Sequence, residues 1–195
     1  MIEELLKQIK EDKVDNMSTT SFKFKTDVWN FFQGFQDKVA IEFGTHKGQT
    51  TRILSFLFKK VYTINNNDNT AAKELNQDRD NIIYLNFDLY SNQPLPIQDE
   101  ISMFLIDAGH DYTHIISDIN LAFSLNLNED CYIVFDDYGL AQYEHHVHKA
   151  VNQAIDMGSL TVIKGIGHEN GFNFGGEPPR VLQNYEGLIT KINFQ

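Results

Sequence analysis

The chain of 195 residues contains 42% hydrophobic and 22% charged residues, a size and composition typical of one globular domain. Its 16 Lys and Arg residues against 27 Asp and Glu residues give a formal net charge of −11, and this acidity argues against nucleic-acid binding, which requires clustered cations. The single cysteine, Cys131, excludes an intramolecular disulfide and a cysteine-based zinc site. No N-terminal stretch resembles a signal peptide, and no apolar run approaches the ~20 residues of a membrane helix. We therefore expect a cytoplasmic protein with no membrane partner.

Residues 1–37 differ in character from the rest of the chain. They open with a charged amphipathic stretch, MIEELLKQIKEDK, and continue through a polar Ser/Thr patch to TDVWNFFQGF. The spacing of the apolar residues is typical of helices with one buried side. We interpret this segment as an N-terminal helical cap that packs beside a sheet or over its C-terminal edge.

From residue 38 onward, short apolar runs alternate with longer helical stretches, and this alternation predicts a parallel sheet with crossover helices. The helices are predicted at residues 49–59, 68–79, 112–125 and 141–157. Three of the apolar runs, VAIEF, MFLI and YIVF, are continuous, which is typical of central strands buried on both faces. The seven predicted strands span residues 38–43, 60–64, 81–87, 102–106, 131–135, 160–164 and 188–194.

Residues 165–180 hold five of the 12 glycines and two of the four prolines, which predicts a long turn or hairpin loop. Phe172, Phe174 and Arg180 in this loop could close over a substrate, and a plain β-turn connection is the alternative. No repeat or interdomain linker is evident. We therefore predict a single domain, residues 1–195, with a core that spans residues 38–195.

The turn after the first predicted strand, IEFGTHKGQTT, places an acidic residue at the strand end and two glycines before the next helix. Ligands of open α/β sheets bind at the carboxyl ends of the strands. Glycines there let the backbone approach a ligand, and the helix N-terminus offers free amides. The spacing is ExGxxxG rather than the GxGxxG of dinucleotide-binding proteins, which disfavours a nicotinamide-dependent dehydrogenase. The alternative is a strand-to-helix turn with no ligand.

This turn, in its place after the first strand of the alternating pattern, resembles that of the class I S-adenosylmethionine-dependent methyltransferases. The resemblance implies a Rossmann-like α/β fold, with a seven-stranded, mostly parallel sheet, helices on both faces and the N-terminal helical cap. It also implies that S-adenosylmethionine is the cofactor. The residues that would hold the methionine end of the cofactor are Glu42, Gly44, Thr45 and Gly48.

The resemblance extends to the ends of the second and third strands, with one departure. Family members usually place an acidic residue after the second strand to bind the ribose hydroxyls, whereas Asn65 occupies that position here. Its amide can still form hydrogen bonds, but it carries no charge, and Asp68 is the alternative ligand. Asp88, after the third strand, matches the carboxylate that accepts from the adenine amino group; a helix or turn cap is the alternative role.

Three more carboxylates follow apolar strands in FLIDAGHDY and IVFDDYG, namely Asp107, Asp136 and Asp137. Burial of these groups near one another without a counter-charge would cost several kcal/mol or keep one of them protonated. A divalent cation would remove that cost, and oxygen ligands suit Mg²⁺, Mn²⁺ or Ca²⁺ better than zinc. The sequence therefore predicts a metal site at the ends of the fourth and fifth strands.

These segments, together with Asp118 and VHKAV, resemble the metal-dependent small-molecule O-methyltransferases of the catechol and macrolide-sugar types, whose strands read IDGxHxY and DDY. The resemblance covers about residues 38–155. It implies that Asp107, Asp136 and Asp137 are Mg²⁺ ligands and that Asp107 also lies at the cofactor. Some sugar-modifying members have a further Asp where this chain has Gly109, so one ligand of that subtype is missing.

His110 lies where the catechol-type members carry a lysine base. Because an unperturbed histidine has a pKa near ~6.5, His110 could accept a proton from a hydroxyl at neutral pH, and a loop-orienting histidine is the alternative. Together, His110 and Asp107 are the predicted catalytic residues. The nearby run of His145, His146 and His148 predicts solvated helix residues, because one helix cannot direct all three to one metal.

The predicted function is transfer of a methyl group from S-adenosylmethionine to a hydroxyl of a small molecule, with help from a divalent metal. The predicted partner is a small-molecule methyl acceptor, nucleic acid is not expected, and association with a second copy of the chain is left open. The Asn65 and Gly109 departures leave an alternative: a catalytically inactive protein of the same fold that binds a nucleoside-like ligand or a partner protein.

Overall fold

The structure is a computed structural model that describes residues 1–9, 20–91, 93–168 and 185–194. Seven strands form one sheet in the order β3-β2-β1-β4-β5-β7-β6. Every pair from β3 to β5 is parallel, and β7 runs antiparallel to both of its neighbours. All seven predicted strands are confirmed, as is the mostly parallel Rossmann-like sheet. The strands are β1 (Val39–Phe43), β2 (Lys60–Asn65), β3 (Ile82–Asn86), β4 (Ile101–Ile106), β5 (Leu127–Phe135), β6 (Leu160–Ile166) and β7 (Gly187–Ile192).

Six α-helices lie in the described residues, and they cover both faces of the sheet. Within the described parts of the chain, no helix is long and apolar enough to cross a membrane. The predicted loop at 165–180 begins inside β6, and its residues 169–180, like residues 10–13 of the first predicted helix, lie outside the described residues. The helices are α1 (Ile2–Gln8), α2 (Phe22–Phe31), α3 (Gln49–Leu57), α4 (Thr70–Leu75), α5 (Tyr112–Phe123) and α6 (Lys149–Asp156).

The stretch predicted as one helix at 141–157 is divided into three pieces. A 3₁₀ turn, Ala141–Tyr143, leads into a π-helical segment, Glu144–His148, and only then into α6. In a π segment the backbone hydrogen bonds join residues five apart rather than four, so each turn is wider, and such segments are frequent at functional sites. It also changes which side chains share a face, so α-helical spacing does not describe the three histidines in this run.

The core consists of two apolar clusters, one on each face of the sheet. Ile41 and Phe43 of β1 face the cluster that contains α5 and α6. Ala40 of the same strand faces the other cluster, to which α1, α2 and α3 contribute. Because side chains alternate along a strand, Glu42 points to the same face as Ala40. This alternation decides what the predicted cofactor ligand Glu42 can contact.

Candidate active site

A cleft of about 510 Å³ opens at the carboxyl ends of β1 to β4. Its wall is made of the turn after β1, the end of β2 and the loops after β3 and β4, with Gly44, Asn65, Asp88 and Asp107 among the lining residues. This volume lies within the usual range of ~300–1,000 Å³ for small-molecule pockets. Four of the seven predicted cofactor residues therefore line one cleft, at the place where open α/β sheets bind ligands.

Gly44 is the residue on which the close approach of the β1 turn to β4 depends. Its φ is +99°, a left-handed conformation that L side chains rarely adopt. A Cβ atom at this position would lie 2.0 Å from the backbone oxygen of Asp107. The amide of Gly44 donates to Ile64 O at 2.9 Å, and the amide of Asp107 donates to Phe43 O at 2.9 Å. The strand ends are thus fastened together at a point where no side chain fits.

We expect Gly44→Ala to destabilise the protein by about 2 kcal/mol more than Gly34→Ala, since forced overpacking typically costs ~1–3 kcal/mol. Gly34 is the matched control because its φ is +101°, yet a Cβ there would meet nothing within 4 Å. Both glycines have nearly the same positive φ, and only Gly44→Ala adds the clash. Urea unfolding of the two variants measures the difference, and equal stabilities would contradict the proposed close contact.

Glu42, predicted at the methionine end of the cofactor, is buried behind the turn. Its Oε2 accepts from Thr51 Oγ1 at 2.5 Å and from Thr63 Oγ1 at 2.6 Å, and it is not among the lining residues of the cleft. Burial raises the pKa of this carboxyl to about 8, with the two threonine hydrogen bonds acting in the opposite direction. Glu42 therefore supports the packing of α3 and β2 beneath the cleft in this structure.

Thr45 and Gly48 also lie behind the cleft lining. Thr45 is buried, and its hydroxyl is 2.7 Å from that of Thr63. Gly48 has a φ of +76° and precedes α3, where a Cβ would lie 2.7 Å from that of Ala72. Both residues shape the turn and join α3 to its neighbours. Their predicted contact with the cofactor stays a prediction.

The loops after β2 and β3 supply two carboxylates to the cleft wall. Asp68 Oδ1 accepts from the amide and hydroxyl of Thr70 at the start of α4, at 3.0 and 2.7 Å, and these bonds hold its pKa below the ordinary value. Asp88 Oδ1 accepts from the amide of Tyr90 at 3.0 Å. Asp88 therefore performs the turn-capping role and also lines the cleft, as does the uncharged Asn65 at the end of β2.

The ends of β4 and β5 bring His110 against the predicted carboxylates. His110 Nε2 lies 3.0 Å from Asp137 Oδ2 and 3.7 Å from Asp107 Oδ1. The hydrogen bond with Asp137 raises the pKa of His110 above its ordinary value. Burial, and then the charge of Asp137, raise the pKa of Asp107 to about 7. Burial, and then the charges of Asp137 and Asp107, raise the pKa of Asp136 well above its ordinary value.

The predicted metal site is not supported by this arrangement. Asp107 and Asp137 both face the Nε2 atom of His110, so the imidazole lies in the space beside these two carboxylates. Across the described ranges, no group of three or more His, Cys, Asp or Glu side chains is placed to hold a metal ion. The oxygen donors suit Mg²⁺ chemically, but within the described ranges they do not form a site of three or more ligands.

Gly109, where some relatives carry a further Asp, has a packing reason to be glycine. A Cβ atom there would lie 2.5 Å from the hydroxyl oxygen of Tyr90 and 2.6 Å from Nδ1 of His114. The ring of Tyr90 stacks on that of His114 with centroids 4.0 Å apart. The space that an aspartate would need is therefore occupied by these two side chains.

Sequence reasoning missed a buried polar connection between α2 and the start of β7. Glu186 is 1% exposed and accepts from the amide of Ser21 at 2.9 Å and from its hydroxyl at 2.5 Å. Lys25, also fully buried, donates to the carbonyl oxygen and the hydroxyl of Thr20. Its charge lowers the pKa of Glu42, Asp107 and Glu186. The cap thus supplies a cation to the acidic edge of the sheet.

One signal for this connection is present in the sequence. Ser21 is an N-cap residue whose hydroxyl accepts from the amide of Phe24 at 2.9 Å, which is a recognisable helix start. Glu186 directly precedes the apolar strand β7. Because β7 is antiparallel to β5, its first residues lie at the edge of the sheet where the parallel strands end, and Glu186 lies there with them. No comparable signal marks Lys25, because helical lysines are usually solvated.

The histidine run does not form a cluster of its own. His145 is exposed, and His146 Nδ1 lies 3.5 Å from Asp111 Oδ1. His148 is half-buried, with Nδ1 3.1 Å from Tyr138 O and its ring 4.6 Å from that of Tyr138. The π-helical geometry thus directs the histidines to different neighbours.

Comparison with known proteins agrees with the fold. A family model described as methyltransferase domain matches residues 41–138, half of the chain. Comparison by sequence with curated proteins finds no match. Several solved structures resemble this one at low sequence identity. Because the identity is low, the resemblance shows the fold alone.

Three of these structures illustrate the likeness. A putative methyltransferase from Streptococcus mutans, SMU.1697c, in complex with SAH, has a TM-score of 0.63 at 14% identity, covering 87% of this chain and 98% of its own. The tRNA (m1A58) methyltransferase TrmI from Aquifex aeolicus has a TM-score of 0.65 at 15% identity, covering 98% and 76%. The N-methyltransferase NodS from Bradyrhizobium japonicum WM9, in complex with S-adenosyl-L-homocysteine, has a TM-score of 0.62 at 14% identity, covering 98% and 96%. Because the methyltransferase family model matches half of the chain and the sheet has the fold of these enzymes, this chain belongs to the class I S-adenosylmethionine-dependent methyltransferases.

Proposed function

We propose that this enzyme methylates a hydroxyl group of a small molecule, with His110 as the base that accepts the hydroxyl proton. The observation that carries the proposal is the 3.0 Å contact between His110 Nε2 and Asp137 Oδ2 beside the cleft. With its Nε2 proton donated to Asp137, the ring presents Nδ1 as the nitrogen that takes a proton. A carboxylate that orients a histidine base is a recurrent catalytic arrangement.

The residues of the cleft fit the cofactor. Gly44 has no side chain, so its backbone is accessible at one end of the cleft. Asn65 at the end of β2 and Asp88 after β3 offer hydrogen-bonding groups. Asp107 adds an acidic group next to His110. S-adenosylmethionine supplies a methyl group on a positively charged sulfur, and negative charge at the strand ends favours binding of such a cation. The turn backbone and these side chains would hold it.

The chain's own residues then have three tasks: to align the acceptor oxygen with the methyl group, to remove its proton and to exclude water. Tyr143 stacks on His110 with centroids 5.0 Å apart, and this contact shields one face of the imidazole. Positioning of reactants can itself provide ~7–11 kcal/mol of the barrier reduction. Metal assistance is not part of the proposal, because the described residues form no site of three or more metal ligands.

The net charge and the chemistry of His110 support the proposed acceptor class. A net charge of −11 disfavours an RNA acceptor, which would require a basic surface. A small molecule with a hydroxyl is the acceptor that uses a neutral-pH base such as His110, since amine acceptors lose their proton more readily.

The test has two stages on the full chain. Isothermal titration with S-adenosylhomocysteine should show binding, and transfer of radiolabelled methyl from S-adenosylmethionine is then measured on small alcohols and phenols, small amines, RNA and protein. We expect labelled ether products, with activity that persists in EDTA. Label on RNA, protein or nitrogen would overturn the proposed acceptor, and strict dependence on added Mg²⁺ would restore the metal. Absence of binding at millimolar ligand would favour the inactive alternative, which Asn65 motivates.

A further inference from the structure

Asn76, directly after α4, is a buried polar residue that the proposed reaction does not use. It is 2% exposed, and its Nδ2 donates to Gly48 O at 3.0 Å and to Ala72 O at 2.9 Å. Both partners are carbonyl oxygens, and a side-chain NH₂ group has the two donors that such a pair requires. The Asn76 amide therefore joins the end of α4 to the residue that precedes α3.

Gly48 is the last residue of the turn after β1, and Gly44, at the start of that turn, lines the cleft. The turn is closed by the amide of Gly48, which donates to Thr45 O at 2.8 Å. The contact with α4 is close: a Cβ atom on Gly48 would lie 2.8 Å from Asn76 Nδ2. Because Asn76 holds the Gly48 carbonyl, it fixes the position of this end of the turn.

The other end of α4 is joined to the loop after β2, which also lines the cleft. Asp68, one of the lining residues, accepts from the amide and the hydroxyl of Thr70, the first residue of α4. The helix has six residues, and at ~1.5 Å for each residue it is about 9 Å long. Ala72 O also accepts from the Tyr84 hydroxyl at 3.1 Å, which ties α4 to β3. Asn76 therefore connects the turn after β1 to the loop after β2 through one short helix.

We propose that Asn76 is a positioning residue: it holds the turn after β1 and the loop after β2 at one fixed separation, so that the cleft binds both ends of the cofactor at once. The turn is the predicted site of the methionine end, and the loop is the predicted site of the ribose. A ligand that spans two preorganised parts of a site loses affinity when their separation varies. The proposal rests on cofactor binding in the cleft and is independent of the acceptor class. Asn76 is not among the lining residues, so it acts through the backbone that it holds.

The test compares a ligand that spans the cleft with one that fills part of it. Isothermal titration on the full chain gives the Kd for S-adenosylhomocysteine and for adenosine, which lacks the methionine end. Asn76→Asp keeps the size of the side chain but places carboxylate oxygens against two carbonyl oxygens, and Asn76→Ala removes both hydrogen bonds without a charge. Asp78→Ala is the matched control, because the exposed Asp78 joins the same segment to α3 by accepting from Arg52 at 2.7 and 3.0 Å.

We expect both Asn76 variants to raise the Kd for S-adenosylhomocysteine about tenfold and to keep the Kd for adenosine within about twofold of wild type. The KM for S-adenosylmethionine should rise in parallel, while kcat at saturating cofactor changes less than about threefold. Asp78→Ala should lower the unfolding free energy and leave both Kd values within about twofold of wild type, because Asn76 still holds the turn.

An unchanged Kd for S-adenosylhomocysteine in the Asn76 variants would overturn the proposal. An equal loss of adenosine affinity would also overturn it, because that result would indicate a general loss of packing. If Asn76→Asp does not fold, Asn76→Ala decides by the same criteria at a temperature at which urea unfolding shows it to be folded. A wild-type chain that binds neither ligand contradicts the proposed function and this role of Asn76 together, whereas tight wild-type binding with unaffected variants overturns the role of Asn76 alone.

Discussion

His110→Asn should lower kcat by about 10²–10⁴-fold, the usual contribution of a positioned general base, and should leave the Kd for S-adenosylhomocysteine within about threefold. Asparagine fills a similar space but cannot take the proton. Asp137→Asn should lower kcat by about 10²-fold, because an amide cannot fix the imidazole as the carboxylate does. Asp137 has a φ of +55°, which asparagine tolerates better than most residues, so this variant should retain the local backbone.

His145→Asn is the matched control for these variants, because His145 is exposed on the π-helical segment. Stopped-time assays with saturating cofactor and acceptor measure kcat for all three proteins. Wild-type turnover by His110→Asn would contradict the base role of His110. It would then point to Asp107, whose pKa of about 7 also suits a base at neutral pH; Asp107→Asn would be the deciding variant.

The sheet could be predicted from the sequence because its signals are local. Each strand is a short apolar run, and the runs around Ile41, Phe104 and Ile133 are buried on both faces in the structure, as continuous apolar sequence predicts. The edge at which functional residues meet follows from the parallel order alone. This is why the sequence could predict that Gly44, Asn65, Asp88, Asp107 and His110 lie at one edge of the sheet.

What could not be predicted is how the side chains at that edge satisfy one another. Three carboxylates suggest a metal only while the position of His110 is unknown, and its 3.0 Å contact with Asp137 is a fact of tertiary structure. Glu42 ends a strand next to a glycine turn, yet strand alternation turns it to the α3 side. Lys25, on a helix far away in sequence, lowers the pKa of Glu42 and Asp107 from within the core.

Because these carboxyls are buried, the formal net charge of −11 overstates the charge of the folded protein. Burial raises the pKa of Glu42, Asp107, Asp118, Asp136 and Glu186 alike, so part of the formal charge is suppressed in the folded state near neutral pH. In the unfolded chain all of these groups ionise at ordinary values. At a pH between the ordinary pKa and the raised pKa of such a carboxyl, the folded protein therefore holds more protons than the unfolded chain. Its stability must then depend on pH.

The unfolding free energy should therefore fall as pH rises from about 5 to 8, and Glu42→Gln should make this fall shallower. A carboxyl with a folded-state pKa of about 8 against an ordinary 4.5 favours folding below 4.5, and its contribution is lost as pH rises through 8, by about 1.4 kcal/mol for each pH unit in that window. Glutamine cannot ionise, and its oxygen can still accept from Thr51 and Thr63. Urea unfolding at pH 5, 6, 7 and 8 measures the slope, with the exposed Glu74→Gln as the matched control. An unaltered slope in Glu42→Gln would contradict the raised pKa of Glu42 and would mean that this carboxyl is ionised in the folded protein, with the charge of Lys25 acting on it.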